Sequence, residues 1–158
     1  MRIVSPIVAC LAYCDEDASK AEEYSKRYIG GYYGSVLKHY EMLGGHFKGT
    51  KGYEYYDKMS GNLVKHGLEG TGEWYASLQV YGTPDECVER AAIISQNTGC
   101  SEMLFHFSYS GMPYDDALAS LRTFNAKVQP RLKLMTSTAS APGGRPAPAD
   151  DGLPLPVV

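Results

Sequence analysis

YGTPDECVERAAIISQNTGCSEMLFHFSYSGMPYDDALASLRTFNAKVQPRL, residues 81–132, reads as a loop, a capped helix, a buried strand, a second loop and an amphipathic helix. Thr83 can cap the first helix through its hydroxyl, and Pro84 fits the first helical position. Glu86 falls where a carboxylate reaches back to the cap's own amide. Apolar Cys87, Val88, Ala91, Ala92 and Ile94 recur at helical spacing opposite Glu89, Arg90 and Gln96, until Gly99 supplies a left-handed stop. The run 102–107 is short and largely apolar, as a strand covered on both faces would be, although its periodicity alone also suits a helix. Residues 108–113 break the chain. Asp115 and Asp116 then place negative charge at the start of a helix whose apolar stripe is Ala117, Leu118, Leu121, Phe124, Val128 and Leu132. The predicted unit is helix, parallel strand, helix.

Two further pieces precede it. The first is IVACLAYCDED, residues 7–17, a strand and an acidic turn opening a helix that carries Ala18, Ala21, Tyr24, Tyr28 and Ile29 before Tyr32-Tyr33. The second is Gly52-Tyr53-Glu54-Tyr55-Tyr56, followed by Lys65-His66-Gly67. The third is the unit above, from Gly82-Thr83-Pro84-Asp85-Glu86-Cys87 through Thr98-Gly99 and Phe107 to Gln129-Pro130-Arg131-Leu132. In this order and spacing, across residues 3–134, the pieces resemble the carboxyl-terminal part of the bacterial luciferase-like, flavin-dependent monooxygenases. The resemblance implies an α/β fold, a partial (β/α)8 TIM barrel of about the last three β/α units. Its strands, near 3–13, 76–81 and 102–107, would be the sixth, seventh and eighth of the barrel. A full barrel takes about 250 residues. This chain has 158, so the first five strands are not in it. An open three-stranded parallel sheet exposes backbone edges on both sides. The expectation is therefore a fragment, a truncated product or half of a split enzyme, completed by a missing amino-terminal half or a related subunit.

Composition agrees with a globular piece: 44% hydrophobic and 21% charged residues can build a core, and a net charge of −3 offers no electrostatic reason to bind nucleic acid. The apolar run 3–13 is too short to span a bilayer, and no clear signal-peptide pattern is present, so neither membrane attachment nor export is expected and the compartment is read as cytoplasmic. Cys10, Cys14, Cys87 and Cys100 form no CxxC pairs, which favours reduced structural thiols over disulfides or zinc. His39, His46, His66 and His106 lack ligand spacing, so no metal is expected. The organisation predicted is a domain over 1–134, with a lid-like insertion at 44–72, and a proline-rich, disordered tail over 135–158.

The insertion, GGHFKGTKGYEYYDKMSGNLVKHGLEGTG, is too long for an ordinary connection. In β/α barrels the loops after the carboxyl ends of the strands build the active site. By resemblance this one is the mobile loop that shields the reduced flavin and its oxygen adduct from water. Tyr53, Lys65 and His66 are then candidates for the lid or substrate pocket, with Lys48 and Lys51 near the mouth. Phe107, Ser108 and Tyr109, at the exit of the last strand, are candidates for the rim. For each residue singly the alternative is ordinary: the tyrosines pack a surface helix and the lysines are solvated. Tyr28, Tyr32, Tyr33 and Tyr40 likewise read as one side of a helix facing core or interface rather than a flavin.

Neither GxGxxG after a strand nor GxxxxGK[ST] occurs, so no phosphate cradle is visible. In the family the main flavin-phosphate contacts and the groups around the reactive ring carbon come from the first five strands, so the resemblance carries no catalytic or cofactor-binding residue onto this chain. It does imply the chemistry of the whole protein. Reduced FMN, delivered by a separate flavin reductase, reacts with dioxygen and oxidises a small organic substrate such as an aldehyde, sulfonate or terpenoid ketone, while the protein orients the reactants and excludes water. Some relatives use the deazaflavin F420 for hydride transfer instead. The alternative to an enzyme is a non-catalytic structural or interaction remnant of the same fold.

Overall fold

The computed structural model describes residues 6–42 and 44–135, without the side chains of Met59, Asn62, His66, Leu68 and Glu69. Its organising element is β1, Ile7–Cys14, whose residues from Cys10 to Cys14 are all buried. β1 is flanked on one edge by β2, Val80–Gly82, and on the other by β3, Glu102–His106, in an entirely parallel sheet of order β2-β1-β3. Tyr13 pairs with Tyr81 and Cys10 with Phe105.

Alternation along β1 divides the core in two. Leu11 and Tyr13 face a layer built from α1 (Ala18–Tyr24), a π-helical turn (Ser25–Gly30) and the end of α3 (Glu54–Ser77), through Ala21, Tyr28, Ile29 and Ala76. Cys10, Ala12 and Cys14 face the opposite layer, built from α4 (Pro84–Thr98), α5 (Tyr114–Lys127) and α6 (Gln129–Leu134), through Cys87, Ala91, Phe124 and Val128. Helices on both faces account for a strand without polar alternation. A third cluster, Tyr33, Leu37, Met42 and Leu63, joins α2 (Gly31–His39) to α3.

Expectations for the helix ends and the cysteines hold in detail. Thr83 and Glu86 form a reciprocal capping box on α4, Pro84 occupies its first turn, and Gly99 ends it in the left-handed conformation at φ 71°. Asp115 and Asp116 lie in the first turn of α5. All four cysteines are buried and free. No group of three metal-ligating side chains occurs among the described residues, and no described helix is long and apolar enough to cross a membrane.

Three expectations are corrected. The first concerns the barrel. Successive barrel strands lie side by side, each followed by a helix on the outer surface, which would place β2 in the middle. Here β1 is central and helices cover both sheet faces. The physical reason is the burial of β1: a strand enclosed on both faces leaves costly unpaired amides and carbonyls unless both its edges are paired. With β2 on one edge, β3 takes the other. The second concerns the segment 44–72. Only 44–53 is irregular; from Glu54 the chain is helical, with Glu54 and Asp57 in its first turn. Its apolar packing through Leu63 and Ala76 outweighs a glycine-rich composition. Gly67, at φ 72°, kinks α3 with a backbone that only glycine adopts readily. The third concerns the strand placed at 76–81. The helix runs through Ser77, Leu78 caps it and Gln79 turns, so only residues 80–82 pair. The tail at 136–158 and residues 1–5 lie outside the described residues.

Candidate functional site

In an open parallel sheet the carboxyl ends of the strands form the natural crevice, most of all where neighbouring connections leave in opposite directions. The central strand here runs directly into Asp15-Glu16-Asp17. Asp17 caps α1, its Oδ1 accepting from the Ser19 and Lys20 amides at 2.9 and 3.2 Å. That cap turns Lys20 back toward the strand end, where its Nζ lies 3.0 Å from Asp15 Oδ2 and 3.7 Å from Asp116 Oδ1 of α5. The Tyr24 hydroxyl donates to Asp116 Oδ2 at 3.4 Å, and the Tyr24 ring stacks on Tyr13 at 5.1 Å. Below them the Tyr109 hydroxyl donates to the Ala12 carbonyl at 3.1 Å, and Ser120 Oγ accepts from the Cys14 amide at 2.8 Å.

The electrostatics of this cluster freeze its protons. The Asp15 carboxylate, its oxygens in contact with Lys20, raises the Lys20 pKa above the ordinary lysine range, overcoming desolvation. Desolvation opposes ionisation of Asp15, but the Asp17 amide and Lys20 more than offset it and lower its pKa. Burial pushes the Tyr13 and Tyr109 hydroxyls well above the ordinary tyrosine range. Each of these groups is driven away from neutrality, whereas a general acid or base works best with a pKa near the working pH. The cluster is suited to fixing β1, α1 and α5 relative to one another and ill suited to exchanging protons at pH 7. Its ion pairs are partly solvated, which keeps their individual contributions small.

The residues singled out from the sequence do not converge. Tyr109 is buried over the strand end as described, and Ser108 beside it is exposed. Phe107 lies on the opposite sheet face, packs edge-on against Phe124 at 5.1 Å and lines a cavity of about 460 Å³ between β3 and α4, α5 and α6. Tyr53 lines a different groove, of about 980 Å³, on the other side of the sheet. Lys65 is exposed on α3, and the His66 side chain is outside the described residues. His106 is exposed at the end of β3, and His39 is exposed on α2. The Lys20, Asp15 and Asp116 cluster escaped sequence reading because the acids were sufficiently explained as helix-start residues. The signal that could have found it is their shared position just after the carboxyl ends of two parallel strands.

The face of the sheet toward β3 remains open. Ile7 is 65% exposed and Leu104 53%, with exposed Ala9 directly opposite Leu104 on the same face. Among the described residues the outer edges of β2 and β3 have no strand partner.

No protein-family profile matches the chain. It is similar to the alkanal monooxygenase alpha chain of Photorhabdus luminescens, with 28% identity over 130 residues. The match covers 78% of this chain and 35% of that protein, so the chain spans about a third of the relative's length. The likeness supports a luciferase-like relationship at a distance, together with a small parallel β/α fold.

Proposed function

We propose that this chain corresponds to the carboxyl-terminal part of a luciferase-like oxidoreductase in which reduced FMN and dioxygen oxidise a small organic substrate. The observation that carries the reading is the alignment with the alkanal monooxygenase alpha chain across most of this chain. The open apolar sheet face and unpaired outer strands support it, because both are surfaces that further strands of a β/α fold would cover. In the complete assembly a barrel forms only if β3 leaves its place beside β1 for the far edge of β2, opening that edge of β1 to an incoming strand. The finer parts of the proposal are a cytoplasmic setting, a domain over 1–134 followed by a disordered tail, supply of reduced flavin by a separate reductase, and completion by an amino-terminal half or related subunit. F420 is the alternative cofactor.

FMN needs cations for its phosphate and a flat surface for its ring. The described residues do not bring these together. On one face of α2, Tyr32, Tyr33, Val36, Leu37 and Tyr40 line a groove rich in rings and without a lysine or arginine. On the other face, Gly31, Gly34, Ser35 and Lys38 line a groove that has Lys26 and Arg27 but no ring. Lys26 is engaged by Glu22 at 2.9 Å, and Arg27 lies over Tyr28. At the strand ends Lys20 is already shared between two carboxylates, with Glu16 and Asp17 adjacent, a poor setting for a phosphate. These residues do not fit FMN, and no step of flavin chemistry is assigned to them. The isolated chain is therefore expected to show no saturable quenching of FMN fluorescence at micromolar protein.

The test is a chimera in which this chain replaces the matching segment of the alkanal monooxygenase alpha chain. A folded chimera that binds reduced FMN and consumes dioxygen with an alkanal supports the reading. A folded chimera that binds no flavin, beside a parent that does, overturns it. The order β2-β1-β3, with helices on both faces, favours a second reading: a self-contained, non-catalytic structural or interaction unit descended from the same fold. In that case the chain alone unfolds cooperatively and the chimera is inactive.

A further inference from the structure

A groove of about 980 Å³ lies beside α2, and neither the strand-end cluster nor the flavin reading uses it. It has two aromatic walls. On one, Tyr33 stacks on Tyr75 with centroids 4.3 Å apart and planes 4° from parallel, and Tyr32 leans on Tyr75 at 6.4 Å. On the other, contributed by residues 46–56, Phe47 stacks on Tyr53 at 5.5 Å and 14° and meets Tyr56 at 5.5 Å. Leu37 and Met42 are buried in the cluster beneath it. Tyr40 and Tyr53 stand at the rim, 61% and 46% exposed.

Charge decides what such a groove accepts. Among the described residues no aspartate, glutamate, lysine or arginine lines it; its polar groups are tyrosine hydroxyls, His46 and Gln79. Gln79 is itself committed, its Oε1 accepting from the Leu11 amide at 2.9 Å. Burial pushes the Tyr75 hydroxyl up to about 12, so it stays a neutral donor at physiological pH. An anion would lose hydration without meeting a counter-charge. A cation would be drawn to ring faces, but no carboxylate among the described lining residues offsets the loss of its hydration. With His46 against Phe47 and Tyr33 buried beside Trp74, a flat neutral ring can stack on exposed Tyr53 and on half-buried Tyr75, with about 0.5–1.5 kcal/mol per stacked pair beyond the area it buries. An aliphatic chain of equal area has no such increment.

We propose that the groove between α2 and residues 46–56 is a binding site for a small, neutral, planar aromatic molecule, held between the Tyr33–Tyr75 stack and the Phe47–Tyr53 stack. The site is independent of the flavin reading and stands if that reading fails.

The test titrates the full chain with N-phenyl-1-naphthylamine, a neutral aromatic whose emission rises when it leaves water. Saturable one-to-one binding is expected, displaced by indole but not by n-decanol or choline at equal concentration. Tyr53→Ala, which removes one ring of a stack, should weaken binding by about 2–12-fold, and Tyr40→Ala, at the exposed rim but in neither stack, should weaken it by less. Tyr114→Ala, exposed on α5 and away from the groove, should change nothing. Should a rim variant lose helical signal, nitration of the unaltered chain by tetranitromethane decides: bound indole should protect Tyr40 and Tyr53 but not Tyr114. Non-saturable binding, affinity unaffected in both folded rim variants, unprotected rim tyrosines, or equal displacement by decanol or choline would each overturn the proposal.

Discussion

Removing the two halves of the capping box on α4 separately should have unequal effects, and the geometry says which is larger. The Glu86 carboxylate accepts from the Thr83 amide at 2.7 Å and from the Thr83 hydroxyl at 2.9 Å, while the return bond, from the Glu86 amide to Thr83 Oγ1, is 3.5 Å long. Loss of an N-cap hydroxyl costs about 0.5–2 kcal/mol. Thr83→Ala loses the long return bond and the 2.9 Å hydroxyl bond but keeps the 2.7 Å amide bond to Glu86, so it should cost about 0.5–1.5 kcal/mol. Glu86→Ala removes both short, charge-assisted bonds and a negative charge from the helix start, and should cost about 1–2 kcal/mol even after allowing for its exposure. Glu89→Ala, exposed on the same helix, is the control and should stay within about 0.5 kcal/mol. Urea midpoints at unchanged slope give the comparison. The Thr83 amide, then its hydroxyl, holds the Glu86 pKa below the usual glutamate range. A depressed folded-state pKa contributes stability above the unfolded value near 4.3 and loses it as pH falls through the lower folded value. The Glu86→Ala deficit should therefore be full at pH 7 and shrink below about pH 4. Glu86→Ala sharing the Glu89→Ala midpoint, or a deficit that persists unchanged at pH 3, would refute the reasoning.

The same turn predicts that Gly82→Ala is more damaging than Thr83→Ala. Gly82 sits at φ 124°, and an added Cβ would lie 2.6 Å from Glu86 Oε2 and 2.8 Å from Glu86 Cβ, so about 1–3 kcal/mol should be lost in the same urea assay. The cysteines should be slow toward a disulfide reagent in the native state and react fourfold per chain in denaturant. Burial pushes the Cys10 thiol up to about 11, leaving about a hundredfold less thiolate at neutral pH; rapid native labelling of all four would contradict the buried core.

What was legible in the sequence was local. Thr83, Glu86 and Gly99 act through neighbours one turn away, and α4 came out with its cap, its stop and its buried face in place. β1 was recognisable because Cys10 to Cys14 lack a solvated face, and β3 because it is short and largely apolar, although Glu102, Leu104 and His106 form an exposed face where the sequence suggested a strand covered on both. α3 was hidden because Gly61, Gly67 and Gly70 lower helix propensity, while the packing that compensates comes through Leu63 against the Tyr33 and Leu37 cluster of α2. The strand-end cluster was hidden for another reason. Lys20 and Asp116 meet across 96 residues, and each already had an adequate local explanation. Tyrosines at helical spacing on α2 were visible, yet only one wall of the groove follows from them; the second is built by residues 46–56, whose course no periodicity dictates.

Strand order is the hardest of these to read, and its logic is energetic. Burial of Cys10 to Cys14 on both faces of β1 favours partners on both edges but does not name them. β2 offers three residues and β3 five, on opposite edges of β1: β3 pairs Ile7 to Leu11 along one edge and β2 pairs Ala12 to Cys14 along the other. Neither edge is paired throughout by a strand, and side chains supply part of the remainder: the Leu11 amide donates to Gln79 Oε1 and the Cys14 amide to Ser120 Oγ. In a sheet of successive barrel strands β3 would instead pair with β2, whose three residues match it poorly, and the amides of β1 from Ile7 to Leu11 would be left open. The order β2-β1-β3 thus gives each edge of β1 a strand partner along part of its length. A longer partner strand competing for that same edge of β1 is what would release β3 toward β2.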